Sequence, residues 1–173
     1  MKKGLIHIYC GDGKGKTTAA IGLCVRFSGG GGRVALFQFM KGDSSSELAA
    51  LGKMDGVTVI EGVKSLKFVW DMTASEKAAA KELYTKKFRE IVRICERFDL
   101  LVLDEVMSAI SCGFVDENEV CAFLESKPSG LEVVLTGRDP SDRLVELADY
   151  VSEVRKIKHP FDKGVAARRL VEF

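Results

Sequence analysis

The chain has 173 residues, 46% of them hydrophobic and 29% charged, which are the length and composition of a single globular domain spanning residues 1–173. The 26 Lys and Arg residues nearly balance the 25 Asp and Glu residues, so the sequence lacks the broad basic surface that would bind nucleic acid or an anionic membrane. No apolar run approaches membrane-spanning length, and we expect no membrane association.

The five cysteines, at positions 10, 24, 95, 112 and 121, lack the paired spacing of a zinc site or a redox motif. Because no signal peptide is recognisable at the N-terminus, we expect reduced thiols and a cytoplasmic protein. Cys24, Cys95 and Cys121 lie on apolar faces and are predicted to belong to the core.

The first motif runs from Cys10 to Thr18 and reads CGDGKGKTT. It follows an apolar run at 5–9 and precedes an amphipathic run at 19–27, which predicts a strand, a glycine-rich turn and a helix. Such a turn directs backbone N–H groups and a helix N-terminus at a phosphate. Residues Gly11, Asp12, Gly13, Lys14, Gly15, Lys16, Thr17 and Thr18 are therefore the candidate nucleotide-binding residues. Lys16 would reach the outer phosphates, and Thr17 would bind Mg²⁺ through its hydroxyl.

The spacing of this motif differs from the usual P-loop by one residue. The usual pattern has a glycine where this chain has Cys10, and the first available glycine, Gly11, comes one residue later. The loop is therefore shorter than in an ordinary P-loop ATPase.

A second strand is predicted at 34–40, after a run of glycines at 29–32 that we interpret as a helix end and a turn. Lys41 follows this strand. In open parallel sheets the carboxyl ends of the strands bind ligands, so Lys41 is either a phosphate contact or a solvated loop lysine.

The only tryptophan, Trp70, lies with Phe68 in a loop after a third strand at 57–60. Taken alone, these aromatic side chains favour a plug for the hydrophobic core, although a flat apolar ligand would need the same residues. A helix is predicted to follow, because Thr73 and Glu76 have the spacing of a capping box. Its expected core face is Ala80, Tyr84, Phe88, Ile91, Cys95 and Phe98.

A short apolar strand then ends in Asp104 and Glu105. Carboxylates at the end of a buried parallel strand are typical of the magnesium side of a nucleotide site. The remaining pattern predicts a capped helix at 116–125, a strand at 131–136 and a last strand near 150–154. Arg138 follows the strand at 131–136 as another candidate ligand contact. We expect the next helix to begin with Asp139 as its cap and Pro140 at its first position.

Apolar strands thus alternate with helical patterns from residue 5 to about 154. This alternation predicts an α/β fold with a doubly wound, mainly parallel sheet and helices on both of its faces.

The sequence resembles the P-loop type of ATP:corrinoid adenosyltransferase. The matching segments are Gly11 to Thr18, Gln38 to Gly42, Phe68 to Asp71, Leu103 to Glu105, Thr136 to Arg138, Glu146 to Asp149, and Lys158 to Phe161 with Gly164. They occur in family order over essentially the whole chain, and the shortened P-loop is a trait of this family. Family members often have Asn where this chain has Asp12.

The resemblance implies a P-loop NTPase fold of the RecA-like type and the transfer of the 5′-deoxyadenosyl group of ATP to the cobalt of a reduced corrinoid, with release of triphosphate. It implies Mg²⁺ with ATP, held by Thr17 and Glu105, and corrinoid as the co-substrate. Lys16 would act on the triphosphate, while Phe68 and Trp70 would lie against the lower face of the corrin. The resemblance further implies a homodimer. It also implies a reductase or reduced flavin carrier that supplies electrons.

Two other functions stay open from the residues alone. One is a P-loop ATPase or small-molecule kinase in which Glu105 positions water, and the other is a non-catalytic nucleotide-sensing module.

Overall fold

The computed structural model describes residues 3–41, 45–62, 67 and 69–171. The strands in these residues are β1 (Ile6–Cys10), β2 (Val34–Gln38), β3 (Val57–Val59), β4 (Leu100–Asp104), β5 (Glu132–Thr136) and β6 (Tyr150–Glu153). The α-helices are α1 (Lys16–Gly29), α2 (Ser46–Leu51), α3 (Ala74–Ile94), α4 (Val106–Ser111), α5 (Glu117–Ser126) and α6 (Asp142–Leu147). Short 3₁₀ turns occupy Val69–Asp71, Cys95–Arg97 and Pro160–Lys163.

The six strands of the described residues form one sheet in the order β3-β2-β4-β5-β1-β6. Every neighbouring pair of strands is parallel. The carboxyl ends of all these strands therefore lie at the same edge of the sheet. Because β1, β5, β4 and β2 are successive neighbours, the residues that follow them are brought together at that edge.

Both faces of the sheet are covered, as the continuous apolar strands predict. Leu101 and Leu103 of β4 pack in a cluster with residues of α3, α4, α5 and α6, whereas Leu100 and Val102 pack in a second cluster with residues of α1 and α2. Successive side chains of a strand point to opposite faces, so the sheet is doubly wound. The predicted fold class is confirmed.

The predicted capping box begins α3. The Thr73 hydroxyl accepts a hydrogen bond from the Glu76 backbone N–H, and the Glu76 carboxylate accepts one from the Thr73 N–H at 2.8 Å. The predicted core face of this helix is buried from Ala80 to Ile91. Cys95, Cys24 and Cys121 are also buried, as predicted.

The prediction for the start of α6 was wrong. The N-cap is Ser141, whose hydroxyl accepts a hydrogen bond from the Leu144 N–H at 3.3 Å, and the helix begins at Asp142. Asp139 instead has a positive φ of 47°, and Pro140 lies outside the helix. An N-cap residue normally has an extended backbone, so Asp139 in this left-handed conformation does not cap the helix. The pattern also gave no sign of the short helix α4.

No helix in the described part of the chain is long and apolar enough to cross a membrane.

Candidate functional site

The loop between β1 and α1 needs glycine at both of its ends. Gly11 has φ of +106°, and a Cβ at this position would lie 2.5 Å from the carbonyl oxygen of Val154. Gly15 has φ of +125° at the N-cap of α1. L-residues with side chains rarely adopt such values, so the loop conformation depends on these two glycines.

Helix α1 begins directly at the loop and has no acidic residue in its first turn. Its N-terminus therefore keeps a partial positive charge that favours an anion. Lys16 is the first residue of the helix, and its ammonium donates hydrogen bonds to the carbonyl oxygens of Gly11 at 2.7 Å and Gly13 at 2.8 Å. Burial lowers the pKa of Lys16, while the nearby Glu105 carboxylate raises it. The lysine ammonium thus lies against the loop, where it is predicted to contact the outer phosphates of the nucleotide.

The carboxylate of Asp104 is the centre of the polar network at the end of β4. Asp104 is fully buried, and it accepts hydrogen bonds from four side chains. The donors are Thr17 at 2.9 Å, Thr136 at 2.6 Å, Gln38 at 3.1 Å and Lys41 at 2.9 Å. These donors come from the start of α1, the ends of β5 and β2, and the loop that follows β2, so the carboxylate links β4 to α1 and to both of its neighbouring strands.

Lys41 joins this network through two bonds. Its ammonium donates to the Thr17 hydroxyl at 3.0 Å and to the Asp104 carboxylate at 2.9 Å. A positive charge therefore lies between the hydroxyl and the carboxylate that the P-loop and β4 bring together. Oxygen ligands of this kind, hydroxyl and carboxylate, suit Mg²⁺. The donor set is compatible with a divalent cation.

Glu105 has a left-handed backbone conformation, with φ of 57°. Its backbone N–H donates to the Thr136 hydroxyl at 2.9 Å, and that hydroxyl donates in turn to Asp104. Its carboxylate accepts a hydrogen bond from Ser108 at 2.7 Å. Thr17 is thus bonded to Asp104, while Glu105 is held beside them by Thr136. Asp104 is therefore a third candidate metal ligand beside Thr17 and Glu105, the two that the family resemblance implies.

A cavity of about 460 Å³ opens beside the P-loop. Its lining includes residues 12–18, Lys41, Glu105 and Arg138, which are nearly all of the predicted phosphate and metal contacts. Gly11 shapes the loop but is not among the lining residues. Among the described residues, no group of three or more His, Cys, Asp or Glu side chains could hold a metal ion. Mg²⁺ commonly binds through one or two carboxylates together with substrate phosphates, and this cavity offers that combination.

Of the two aromatic residues singled out in the sequence, Phe68 and Trp70, only Trp70 is described by the structure. Trp70 lies in the 3₁₀ turn Val69–Asp71 and is 76% exposed, so it is not a core plug. Val69 and Met72 on either side of it pack against the core, which leaves the indole at the surface. Trp70 is not among the described residues that line the cavity. Phe68 lies outside the described residues.

The cavity also has lining residues that the sequence analysis did not include. They are Ile21, Ser46, Glu47, His159, Leu170 and Val171. His159 lies in a segment that carries the family resemblance, which was the one available signal. The others have no local pattern that marks a site.

The C-terminal part of the chain is joined to the P-loop through Asp12. The Asp12 carboxylate accepts a hydrogen bond from the backbone N–H of Lys156 at 2.8 Å, and this bond lowers the pKa of Asp12. The side-chain oxygen of an asparagine could accept the same bond. Asp12 therefore has a structural partner here in addition to its place in the cavity wall.

A family model and several known proteins are similar to this chain over nearly its whole length. A family model described as "ATP:corrinoid adenosyltransferase BtuR/CobO/CobP" matches residues 2–173. A corrinoid adenosyltransferase of a Sinorhizobium species is 38% identical, with the match covering 99% of this chain and 81% of that protein. The corrinoid adenosyltransferases of Escherichia coli K12 and Pseudomonas aeruginosa are 34% and 31% identical, with 99% of this chain covered in each and 87% and 85% of those proteins.

Solved structures that are similar share the fold. A KaiC-like protein from Pyrococcus horikoshii superimposes with a TM-score of 0.55 and 17% identity, over 90% of this chain and 74% of that one. EssC, ATPases 2 and 3, from Geobacillus thermodenitrificans gives a TM-score of 0.54 and 16% identity, over 96% of this chain and 35% of that one. These two structures share the fold of this chain, which supports the predicted fold class.

Proposed function

We propose that the P-loop cavity of this chain, which belongs to the ATP:corrinoid adenosyltransferase family, binds the triphosphate of ATP. As a member of that family, the chain transfers the adenosyl group of ATP to a corrinoid in cobalamin synthesis or salvage. The observation that carries this proposal is the convergence of residues 12–18, Lys41, Glu105 and Arg138 on one cavity. The family assignment also selects adenosyl transfer from the three functions that the residues alone left open.

The triphosphate end of ATP would lie against the loop and the start of α1. Backbone N–H groups of the glycine-rich loop and the helix N-terminus supply positive potential without a mobile side chain. Lys16 and Arg138 supply two full positive charges at the cavity. Their positions suit a group whose negative charge increases as it leaves.

Residues at the start of α1 and the end of β4 would hold Mg²⁺. They are the Thr17 hydroxyl and the Asp104 and Glu105 carboxylates. When bound, the ion would supply charge neutralisation for the leaving triphosphate. Asp104 and Thr136 fix the positions of Thr17 and Glu105 through bonds of 2.6 to 2.9 Å.

The transfer itself requires no protein base. The electron pair of the reduced corrinoid cobalt forms a bond to the 5′-carbon of ATP, and the bond from that carbon to the triphosphate oxygen breaks, so triphosphate leaves with the electron pair. No proton is transferred in this step. The protein's contribution is to position the two substrates and to stabilise the leaving group.

Trp70 and Phe68 are proposed to contact the corrinoid. The 76% exposure of Trp70 supports a role in binding a large flat partner, because a buried indole could not reach one. The aromatic side chains would hold the corrinoid's own axial base away from cobalt, which makes the metal easier to reduce. We also propose that a reductase or reduced flavin carrier donates the electrons. The protein is further proposed to be a homodimer and to lie in the cytoplasm.

Substitution of Lys16 tests the assignment of the cavity. Lys16→Ala is expected to weaken ATP binding strongly, and Lys77→Ala is the control because Lys77 is exposed on α3, far along the chain from the loop. Isothermal titration with ATP and Mg²⁺ gives the affinity, and a thermal melt shows that both variants fold. Equal ATP affinity of the two variants would refute the role of the P-loop cavity.

A further inference from the structure

The C-terminal segment 154–171 forms a wall of the P-loop cavity. It follows β6 directly, and its backbone forms hydrogen bonds with the P-loop. The Val154 N–H donates to the Cys10 carbonyl oxygen at 2.8 Å, and the Val154 carbonyl oxygen accepts from the Gly13 N–H at 2.7 Å. The Lys156 N–H then donates to the Asp12 carboxylate at 2.8 Å. The segment is therefore fixed to the same loop that forms the phosphate cradle.

The segment continues through a 3₁₀ turn whose conformation is stabilised locally. Lys156 forms an ion pair with Asp162 at 3.1 Å. The Nδ1 atom of His159 accepts a hydrogen bond from the Phe161 N–H at 3.2 Å, and the ring of His159 lines the cavity. Further along the same segment, Leu170 and Val171 also line the cavity.

The side chains that complete this wall are apolar. Leu170 is 78% exposed and Val171 is 49% exposed, yet both line the cavity, together with Ile21 of α1. The rest of the lining is polar, and its charged side chains include Lys14, Lys16, Lys41 and Arg138 beside Asp12, Glu47 and Glu105. The cavity thus has a polar end that suits phosphates and an apolar wall that suits a base. Binding sites of this size commonly combine an apolar lining with a few polar groups that orient the ligand.

We propose that Leu170 and Val171, with Ile21, bind the adenosine half of ATP, so that the C-terminal segment gives the site its preference for the nucleotide over inorganic triphosphate. This inference rests on the proposed function, since it takes ATP as the ligand. A triphosphate held on the loop and α1 leaves the nucleoside as the only part of ATP that can cover these apolar side chains.

The test compares two ligands that differ by the adenosine group. Isothermal titration in the presence of Mg²⁺ measures the affinities of ATP and of inorganic tripolyphosphate for the whole chain. The double variant Leu170→Ala/Val171→Ala is expected to bind ATP about tenfold more weakly, because it loses apolar contact with the base. Its affinity for tripolyphosphate should stay within about twofold of wild type, a difference too small to reflect a lost contact.

Ile157→Ala/Val165→Ala is the matched control. Ile157 is 91% exposed and Val165 is 45% exposed, and both are apolar residues of the same segment that are not among the cavity-lining residues. This variant should bind both ligands as wild type does. Because all four side chains are exposed, thermal melts of the two double variants should match that of wild type.

Three results would overturn the inference. The first is that the Leu170/Val171 variant binds ATP as tightly as wild type does. The second is that this variant loses affinity for ATP and for tripolyphosphate equally. The third is that it keeps its ATP affinity but binds hydroxocobalamin more weakly. The last would assign the apolar wall to the corrinoid. Failure of the proposed function has a different signature, in which wild type binds neither ATP nor tripolyphosphate, and it would overturn both.

Discussion

Asp104 should contribute more to stability than any other carboxylate substituted in these experiments, because it is fully buried and accepts hydrogen bonds from four side chains. Asp104→Asn keeps the shape of the side chain but removes its charge. The hydroxyls of Thr17 and Thr136 can rotate to accept from the new amide group, while its oxygen continues to accept from Gln38 and Lys41. The substitution therefore changes the strength of the bonds more than their number.

The size of the effect follows from two opposing contributions. Hydrogen bonds to a charged group contribute about 1.5–3 kcal/mol each, against about 0.5–1.5 kcal/mol for neutral bonds. Removing a buried charge also recovers part of its desolvation cost, and Lys41 is exposed enough to be hydrated by water. We expect Asp104→Asn to lower the free energy of unfolding by about 1–2 kcal/mol. Asp104→Ala, which leaves the donors without an acceptor, should lower it by about 3–5 kcal/mol.

Urea unfolding followed by circular dichroism measures these changes, with the denaturant slope as a check that the unfolding transition stays the same. Asp55→Asn is the control, because Asp55 is exposed in the turn before β3. If Asp104→Asn unfolds at the same urea concentration as wild type, or if Asp104→Ala is no less stable than Asp104→Asn, the carboxylate does not hold the ends of the strands together.

Three further predictions concern the site and the surface. Glu105→Gln should raise the Mg²⁺ concentration needed for half-maximal ATP binding, measured by titration at fixed ATP, and an unchanged requirement would remove Glu105 from the metal ligands. Trp70→Ala should change the free energy of unfolding by less than about 0.5 kcal/mol, since the indole is exposed, but should slow adenosylation that starts from the cobalt(II) corrinoid. A wild-type rate in that assay would contradict the corrinoid contact. The hydrogen bond from Arg33 lowers the pKa of Asp99 to about 2 from its usual 3.8, so the pair stabilises the fold above about pH 4 and this stabilisation is lost as the pH falls from 4 to 2. Wild type should therefore lose more stability over this window than Asp99→Asn in urea melts, and equal losses would show that the ion pair has no effect on folding.

The fold could be predicted from the sequence because its signals are local. The central strands β1, β2, β4 and β5 are short, mainly apolar runs, and the glycines at 11 and 15 mark the turn that must follow β1. Thr73 and Glu76 marked the start of α3 for the same reason, since each satisfies a backbone group of the other. At α6 the local signal was ambiguous, because both Asp139 and Ser141 are residue types that cap helices, and only the structure shows that Ser141 accepts the capping hydrogen bond.

The less predictable part of the site depends on contacts between distant residues. Both Asp104 and Glu105 follow an apolar strand, and only the packed sheet shows that Asp104 is the buried acceptor for Thr17. The C-terminal segment is attached to the P-loop by contacts such as the bond between Asp12 and Lys156, which are 144 positions apart. Trp70 is similar, since an aromatic residue in a loop suits a core or a surface equally well until its neighbours are placed.

The most direct test of the central claim is the identity of the products formed from ATP. The protein would be incubated with ATP, Mg²⁺ and a corrinoid already reduced to cobalt(I), and phosphorus NMR would identify the phosphate product while absorbance follows the corrinoid. We predict triphosphate and adenosylcorrinoid in equal amounts, with neither product in the Lys16→Ala variant. Formation of ADP and phosphate, or triphosphate without adenosylcorrinoid, would contradict the assignment of adenosyl transfer to this site.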